Sequence, residues 1–326
     1  MRLNEDEKLM ALIANQKLNY PIQDIDENKL PLEFINTNKL SLILEKQGIK
    51  IPTAEKEREK INILINELSE IKCVFNRYNV NFVVIKSFEK LPKPLSDVDI
   101  LVSDMRMAES ALRQIGYTQE TEDEPYKKLY IRKIGDERVA MHLHSEIAWR
   151  GIKYLERNEV FDKSTKREIN GIDIPVPCPE HEILITAAHM LFERGNNKIT
   201  LYDVLNVASI FKEHDVNMKS IEADAKRNGW QKQFLFFIHS VGIIYEELYQ
   251  ESLPFLNSRS GRKIGNLPFL FPIHSVISLR AQKIFTTLRS FGIRRALREL
   301  YAYSLDVLDI FKERYGITSL KRRLGK

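Results

Sequence analysis

With 326 residues, 43% of them hydrophobic and 29% charged, the chain has the composition of a globular protein with room for two or three domains. No apolar run approaches the ~20 residues needed to span a bilayer, and the N-terminal MRLNEDEKLM is too charged for a signal peptide. Cys73 and Cys178 are the only cysteines, which excludes a disulfide framework and makes a reducing cytoplasm the expected compartment.

Glu5 to Gln16 and Lys39 to Gln47 show helical spacing, separated by a polar stretch containing Pro21 and Pro31. Thr53 is a candidate N-cap. Beyond it Ile61, Leu64, Ile65, Leu68, Ile71 and Phe75 form one apolar stripe, which predicts a helix of about six turns ending near Asn79. Residues 1–79 read as a helical lead-in packed on the domain that follows, although a separate substrate-gripping domain has the same pattern.

Phe82 to Ile85 and Val98 to Val102 are short β-rich runs, joined by a loop with two prolines and three lysines. A period of two turns Val98, Ile100 and Val102 to a core and leaves Asp97 and Asp99 on the opposite side. Two carboxylates on one strand face repel each other unless a cation lies between them. Mg²⁺, a hard ion that takes carboxylate and phosphate oxygens, suits such a pair. From the Asp-x-Asp alone, a solvated strand start with two surface aspartates is the commoner arrangement.

Ser103 can cap a helix with Met107, Leu112 and Ile115 on its apolar face, closing at Gly116. The charged QETEDEP is an exposed turn. Lys128 to Lys133 and Glu137 to His144 then alternate as a hairpin about Gly135-Asp136. In its second strand Val139, Met141 and Leu143 face the core, while Ala140, His142, His144 and Glu146 lie opposite. That side is either a ligand-bearing face or a plain polar edge. Trp149 reads as a lid over the core rather than a base-stacking platform.

A polar stretch runs to Glu168, and a short strand from Gly171 to Val176 leads into Pro-Cys-Pro-Glu, the expected domain boundary. Beyond it the pattern is helical: from Pro179 to about Phe192, then Thr200 to His214, Met218 to Asn228 and Gln231 to Tyr249. Cys178 and His181 have Cys-x-x-His spacing, but no second pair completes a zinc site. His189, Glu193 and Asp203 can meet across the first two of these helices, as a cleft border or as a histidine–aspartate bond holding two helices together.

Residues 259–326 carry fifteen Lys and Arg against four Asp and Glu, within a chain of net charge +5. Arg289, Arg294, Arg295 and Arg298 are spaced along one helical segment with Phe285, Leu288, Phe291 and Leu297. This asymmetry suits an anionic partner, RNA or an acidic membrane surface, or a solvated basic helix pair. No RRM or KH signature is present.

The runs VVIKS, SDVDILV and, some forty residues on, HLHSEIAW together resemble the nucleotidyltransferase superfamily with the polymerase-β-like fold, in its poorly characterised bacterial and archaeal branch. The resemblance covers about Lys72 to Leu205. It implies an α+β fold: a small mixed β-sheet nucleotidyltransferase core (80–177) flanked by the N-terminal helical lead-in (1–79) and a C-terminal all-helical region (178–258, then the basic 259–326). The implied reaction moves a nucleoside monophosphate from an NTP to a hydroxyl of an unidentified acceptor, with Mg²⁺ or Mn²⁺. Asp97 and Asp99 would hold the ions, and the Lys86-Ser87 turn would cradle the phosphates. Ser96, His144, His189 and Asp203 would border the nucleotide.

Two positions depart from the family pattern. Ser87 replaces the turn glycine, whose lack of a Cβ permits close phosphate approach. His142 stands where the family has its third carboxylate, as metal ligand or general base. Two rivals therefore stay open: a nucleotidyltransferase-fold binding module without turnover, and an RNA- or membrane-associated protein acting through its basic C-terminal region.

Overall fold

The computed structural model describes residues 3–15, 25, 29–120, 126–149, 152–193 and 198–253, with 269–270 and scattered positions from 277 to 304. Three short helices open the chain: α1 (Glu5–Ala14), α2 (Leu32–Thr37) and α3 (Ser41–Lys46). The first is set by a capping box between Asn4 and Glu7. The long helix α4 (Ala54–Arg77) follows; of the expected stripe Leu64, Ile65, Leu68, Ile71 and Phe75 are buried, joined by Val74, while Ile61 is only partly buried. Thr53 precedes it but makes no capping bond; its hydroxyl reaches Asn36 Oδ1 at 3.4 Å.

The sheet comprises β1 (Phe82–Ile85), β2 (Val98–Val102), then, after α5 (Met105–Gln114), β3 (Thr118–Gln119), β4 (Lys127–Ile134) and β5 (Glu137–His144). Its order is β1-β2-β5-β4-β3, antiparallel throughout except for the central β2–β5 pair. Gly135, at φ 58°, supplies the left-handed position the two-residue β4–β5 turn needs. The cap of α5 is Asp104 rather than Ser103, whose hydroxyl accepts the Asn81 N–H. With the start displaced, the buried face falls on Ala108, Ala111 and Leu112, and Met107 is exposed.

The segment read as polar up to Glu168 has its own structure: β6 (Ile147–Trp149), β7 (Ile152–Leu155), α6 (Arg157–Asp162) and β8 (Thr165–Ile169), which pairs with β9 (Ile172–Val176). Trp149 is buried, with its ring 6.4 Å from Phe192. Helices then dominate as far as Tyr249: α7 (Pro179–Ala188), running into a π-helical turn at His189–Glu193, then α8 (Leu201–Glu213), α9 (Met218–Arg227) and α10 (Gln231–Tyr249). Lys198–Ile199 and Phe269–Leu270 form a short antiparallel pair. No helix among the described residues is long and apolar enough to cross a membrane.

Both faces of the sheet are covered. On one, Val84, Val98, Ile100, Val102, Met141 and Leu143 pack against α4 and α5. On the other, Val83, Ile85 and Leu101 join a larger cluster that takes in α1–α3, β6–β7 and α7–α10, so one core crosses the expected boundaries at 79 and 177. Trp230 is fully buried there, donates to the Tyr154 carbonyl at 2.9 Å and meets Tyr154, Phe192 and Phe234 edge-on. In the basic C-terminal region Arg289 and Arg294 are exposed, as are Phe285, Leu288 and Leu297. Phe291, Arg295 and Arg298 lie outside the described residues, as does most of the segment to Lys326.

Candidate active site

Strand register assembles the site. In the parallel β2–β5 pair Asp99 is level with His142 and Leu101 with His144, and on the other side Asp99 is level with Ile85 of β1. The period of two then puts Asp99, His142 and His144 on the sheet face that carries the larger core. That face is largely covered rather than solvated, unlike the commoner arrangement for an isolated Asp-x-Asp.

Two carboxylates and two imidazoles interlock there. His142 Nδ1 lies 2.7 Å from Asp97 Oδ2 and 3.8 Å from Asp99 Oδ1. Asp97, Asp99 and His142 each offer a ligand atom, all within 4.8 Å of one another. His144 Nε2 is 2.6 Å from Asp99 Oδ1, and Lys86 Nζ is 3.8 Å from the same oxygen. Ser96 donates its hydroxyl to Asp97 Oδ1 at 2.6 Å.

Burial opposes ionisation of Asp99, but the Lys86 charge and the His144 bond outweigh it and hold the carboxyl well below the usual carboxylate range. Asp97 is also held low: burial and repulsion from Asp99 are offset by bonds from His142 and Ser96. Both are therefore anionic at neutral pH. Burial pushes the His144 imidazole down to about 4, against the pull of Asp99. A neutral ring facing an ionised, acceptor-only carboxylate must carry its proton on Nε2.

The His144 shift has a consequence for stability. Its folded pKa, about 4, lies below the ordinary 6.5, so the folded state binds fewer protons between these values. The contribution of neutral His144 is present above pH 6.5 and lost as pH falls through 4. Urea unfolding of the metal-free protein should lose on the order of 3 kcal/mol across this window, and His144→Asn should flatten the slope. An unchanged slope in the variant would refute the assignment.

The turn after β1 positions the cations. Lys86 and Phe88 have φ of 55° and 51°, left-handed conformations that cost non-glycine residues free energy and concentrate at functional sites. Ser87, between them, is buried, and its hydroxyl accepts the Asp99 N–H at 3.1 Å. Ser87 thus ties the turn after β1 to the β2 backbone. Lys93 donates to the Lys86 carbonyl at 2.7 Å and to Glu89 Oε2 at 2.6 Å, locking the loop over this turn.

A cleft of about 220 Å³ is lined by Lys86, Ser87, Ser96, Asp97, Asp99, His142 and His189, all expected, and by Lys39, Lys93 and Lys127. Four lysines around an acidic pair form a field suited to a polyanion carrying cations. No local motif marks Lys39, on the turn before α3, or Lys127, which opens β4 opposite His144. His189 begins the π-helical turn, a distortion that often accompanies function. His144 sits behind Asp99. Asp203 belongs to a capping box, its Oδ2 accepting from the Thr200 N–H at 2.8 Å and from the Thr200 hydroxyl at 2.6 Å.

A mixed sheet with Asp97 at the entry to one strand and Asp99 on it, a histidine level with Asp99 on the next strand and a lysine-lined cleft beside them has the arrangement of a nucleotidyltransferase. Residues 53–246 match the family described as uncharacterised nucleotidyltransferase, and the chain belongs to that family. It is also similar to an antigenic nucleotidyltransferase-like protein from Paracoccidioides brasiliensis, with 13% identity over 56% of this chain and 91% of that one, at a TM-score of 0.37. No curated protein matches the chain.

Proposed function

We propose that the chain is a metal-dependent nucleotidyltransferase that moves a nucleoside monophosphate from an NTP to an acceptor hydroxyl and releases pyrophosphate. The observation that carries this reading is the convergence of Asp97, Asp99 and His142 within 4.8 Å at the foot of a lysine-lined cleft. Two anionic carboxylates and an imidazole are a donor set that fits Mg²⁺ or Mn²⁺. Once bound, the metal supplies positive charge where negative charge builds on the phosphates.

The chain's own groups do the remaining work. Lys39, Lys86, Lys93 and Lys127 bind the polyphosphate, and the Ser87 bond to the Asp99 backbone keeps the metal-holding strand from shifting. The acceptor hydroxyl passes its proton to a site carboxylate or to water as its oxygen attacks the α-phosphorus, the bond to the β-phosphate oxygen breaks, and pyrophosphate leaves into the lysine field. A cleft of 220 Å³ is sized for phosphates and their ions. A neighbouring cavity of about 630 Å³, sharing Lys93 and Leu95 with it and walled by Ile61, Ile65, Phe88 and Leu91, can take the bulk of the remaining substrate.

His142 gives this site its own signature. Imidazole is a softer ligand than carboxylate, so activity should favour Mn²⁺ over Mg²⁺. His142→Asp, which restores the family residue, should lower the Mn²⁺-to-Mg²⁺ ratio of kcat/KM by about tenfold. A variant that loses activity with both metals while the ratio holds would assign His142 a role other than ligand.

A further inference from the structure

Glu159 from α6, His181 from the first turn of α7 and Asp224 from α9, none of which lines the aspartate cleft, each offer one ligand atom inside a 4.8 Å group. His181 is fully buried, and neither ring nitrogen has a hydrogen-bond partner; the buried Oδ2 of Asp224 also lacks one. Leaving such groups unpaired in the interior is costly, so their convergence calls for a ligand.

The spacing says which kind. His181 Nε2 lies 3.7 Å from Asp224 Oδ2. A direct hydrogen bond would hold these atoms about 2.8 Å apart, and a bridging water about 4.6 Å apart at its tetrahedral angle. Two atoms each ~2.1 Å from one ion lie roughly 3.0–3.4 Å apart at octahedral or tetrahedral angles. The observed gap is nearest the last.

We propose that Glu159, His181 and Asp224 form a second cation site, which takes zinc or a similar transition metal and fastens α6 to α7 and α9. One imidazole with two carboxylates favours zinc over magnesium or calcium, and leaves a fourth position for water. Arg227 holds the outer oxygens, Asp224 Oδ1 at 2.5 Å and Glu159 Oε1, which leaves Asp224 Oδ2 turned toward His181. Arg227 and Lys163, 53% and 49% exposed, balance the carboxylates without an ion and can turn to water when a dication enters. Cys178, despite its Cys-x-x-His spacing to His181, is not part of the group.

The test uses the full chain carrying Asp97→Asn and Asp99→Asn, so that the cleft does not compete for metal. After EDTA treatment, loading with Zn²⁺ or Mg²⁺ and desalting, retained metal is measured by mass spectrometry. About one zinc and no magnesium per chain should remain, and zinc should raise the Tm by several degrees. Adding Asp224→Asn or Glu159→Gln should cut retained zinc at least tenfold and abolish the Tm shift. Glu159, 27% exposed, serves if the buried variant does not fold. Zinc no better retained than magnesium, or equal retention in the parent and in a folded Glu159→Gln variant, would overturn the proposal.

Discussion

Asp97→Asn should lower NTP-dependent transfer by about 10³-fold or more while leaving the fold nearly as stable, because a neutral amide cannot hold the charge the reaction needs. Its side chain is 29% exposed and bonded to Ser96 and His142, contacts an amide can keep in part. Asp99→Asn should cost as much activity and also stability. Asp99 is 14% exposed and faces Lys86, itself only 9% exposed. The neutral amide removes the ionic attraction between the two side chains, whose charges lie 3.8 Å apart, and stability should fall by on the order of 1–3 kcal/mol. Transfer assays and urea unfolding on both variants separate the two effects. If both kept full activity, the metal-centred reading of the cleft would be wrong.

Trp230→Ala should produce the largest stability loss away from the site, about 4 kcal/mol. The indole is fully buried, and its ring meets Tyr154, Phe192 and Phe234, so truncation empties the centre of the cluster that joins the sheet to the helices. The bond from its N–H to the Tyr154 carbonyl goes too, leaving a buried acceptor unpaired. Trp230→Phe should recover more than half of the loss. Since no part of Trp230 lines the cleft, activity per folded molecule should hold. A shift in the urea midpoint equivalent to under 1 kcal/mol would mean that this contact does not hold the two regions together.

The legible parts of this protein were those with a local period. The α4 stripe, the Asp97–Asp99 pair and the alternation through His142 and His144 each follow from side-chain direction within one element, and all three sit where that direction puts them. What lay across elements was hidden. The parallel register that sets Asp99 level with His142 comes from pairing strands some forty residues apart. Lys39 reaches the cleft through packing of the lead-in, fixed by the bond from the Leu201 N–H to Asn38 Oδ1 at 2.9 Å. The region before Glu168 read as polar because its short hairpins alternate too briefly for a period to show. His181 showed only its spacing to Cys178, while Glu159 and Asp224 come from other helices. One-residue errors, such as Ser103 for Asp104 as a cap, rotate a helix face and exchange Met107 for Ala108 in the core.

The most direct measurement follows the label from two forms of the same nucleotide. The purified chain is incubated with Mn²⁺ and each NTP, labelled in separate reactions at the α- or the γ-phosphate, over a small-molecule and macromolecular extract as the source of acceptors. Transfer of a nucleoside monophosphate requires that the α-label enter a product while the γ-label leaves as pyrophosphate, and that EDTA or Asp97→Asn abolish both. A γ-label appearing in the product, or nucleotide bound tightly with neither label moving, would contradict the nucleotidyltransferase reading.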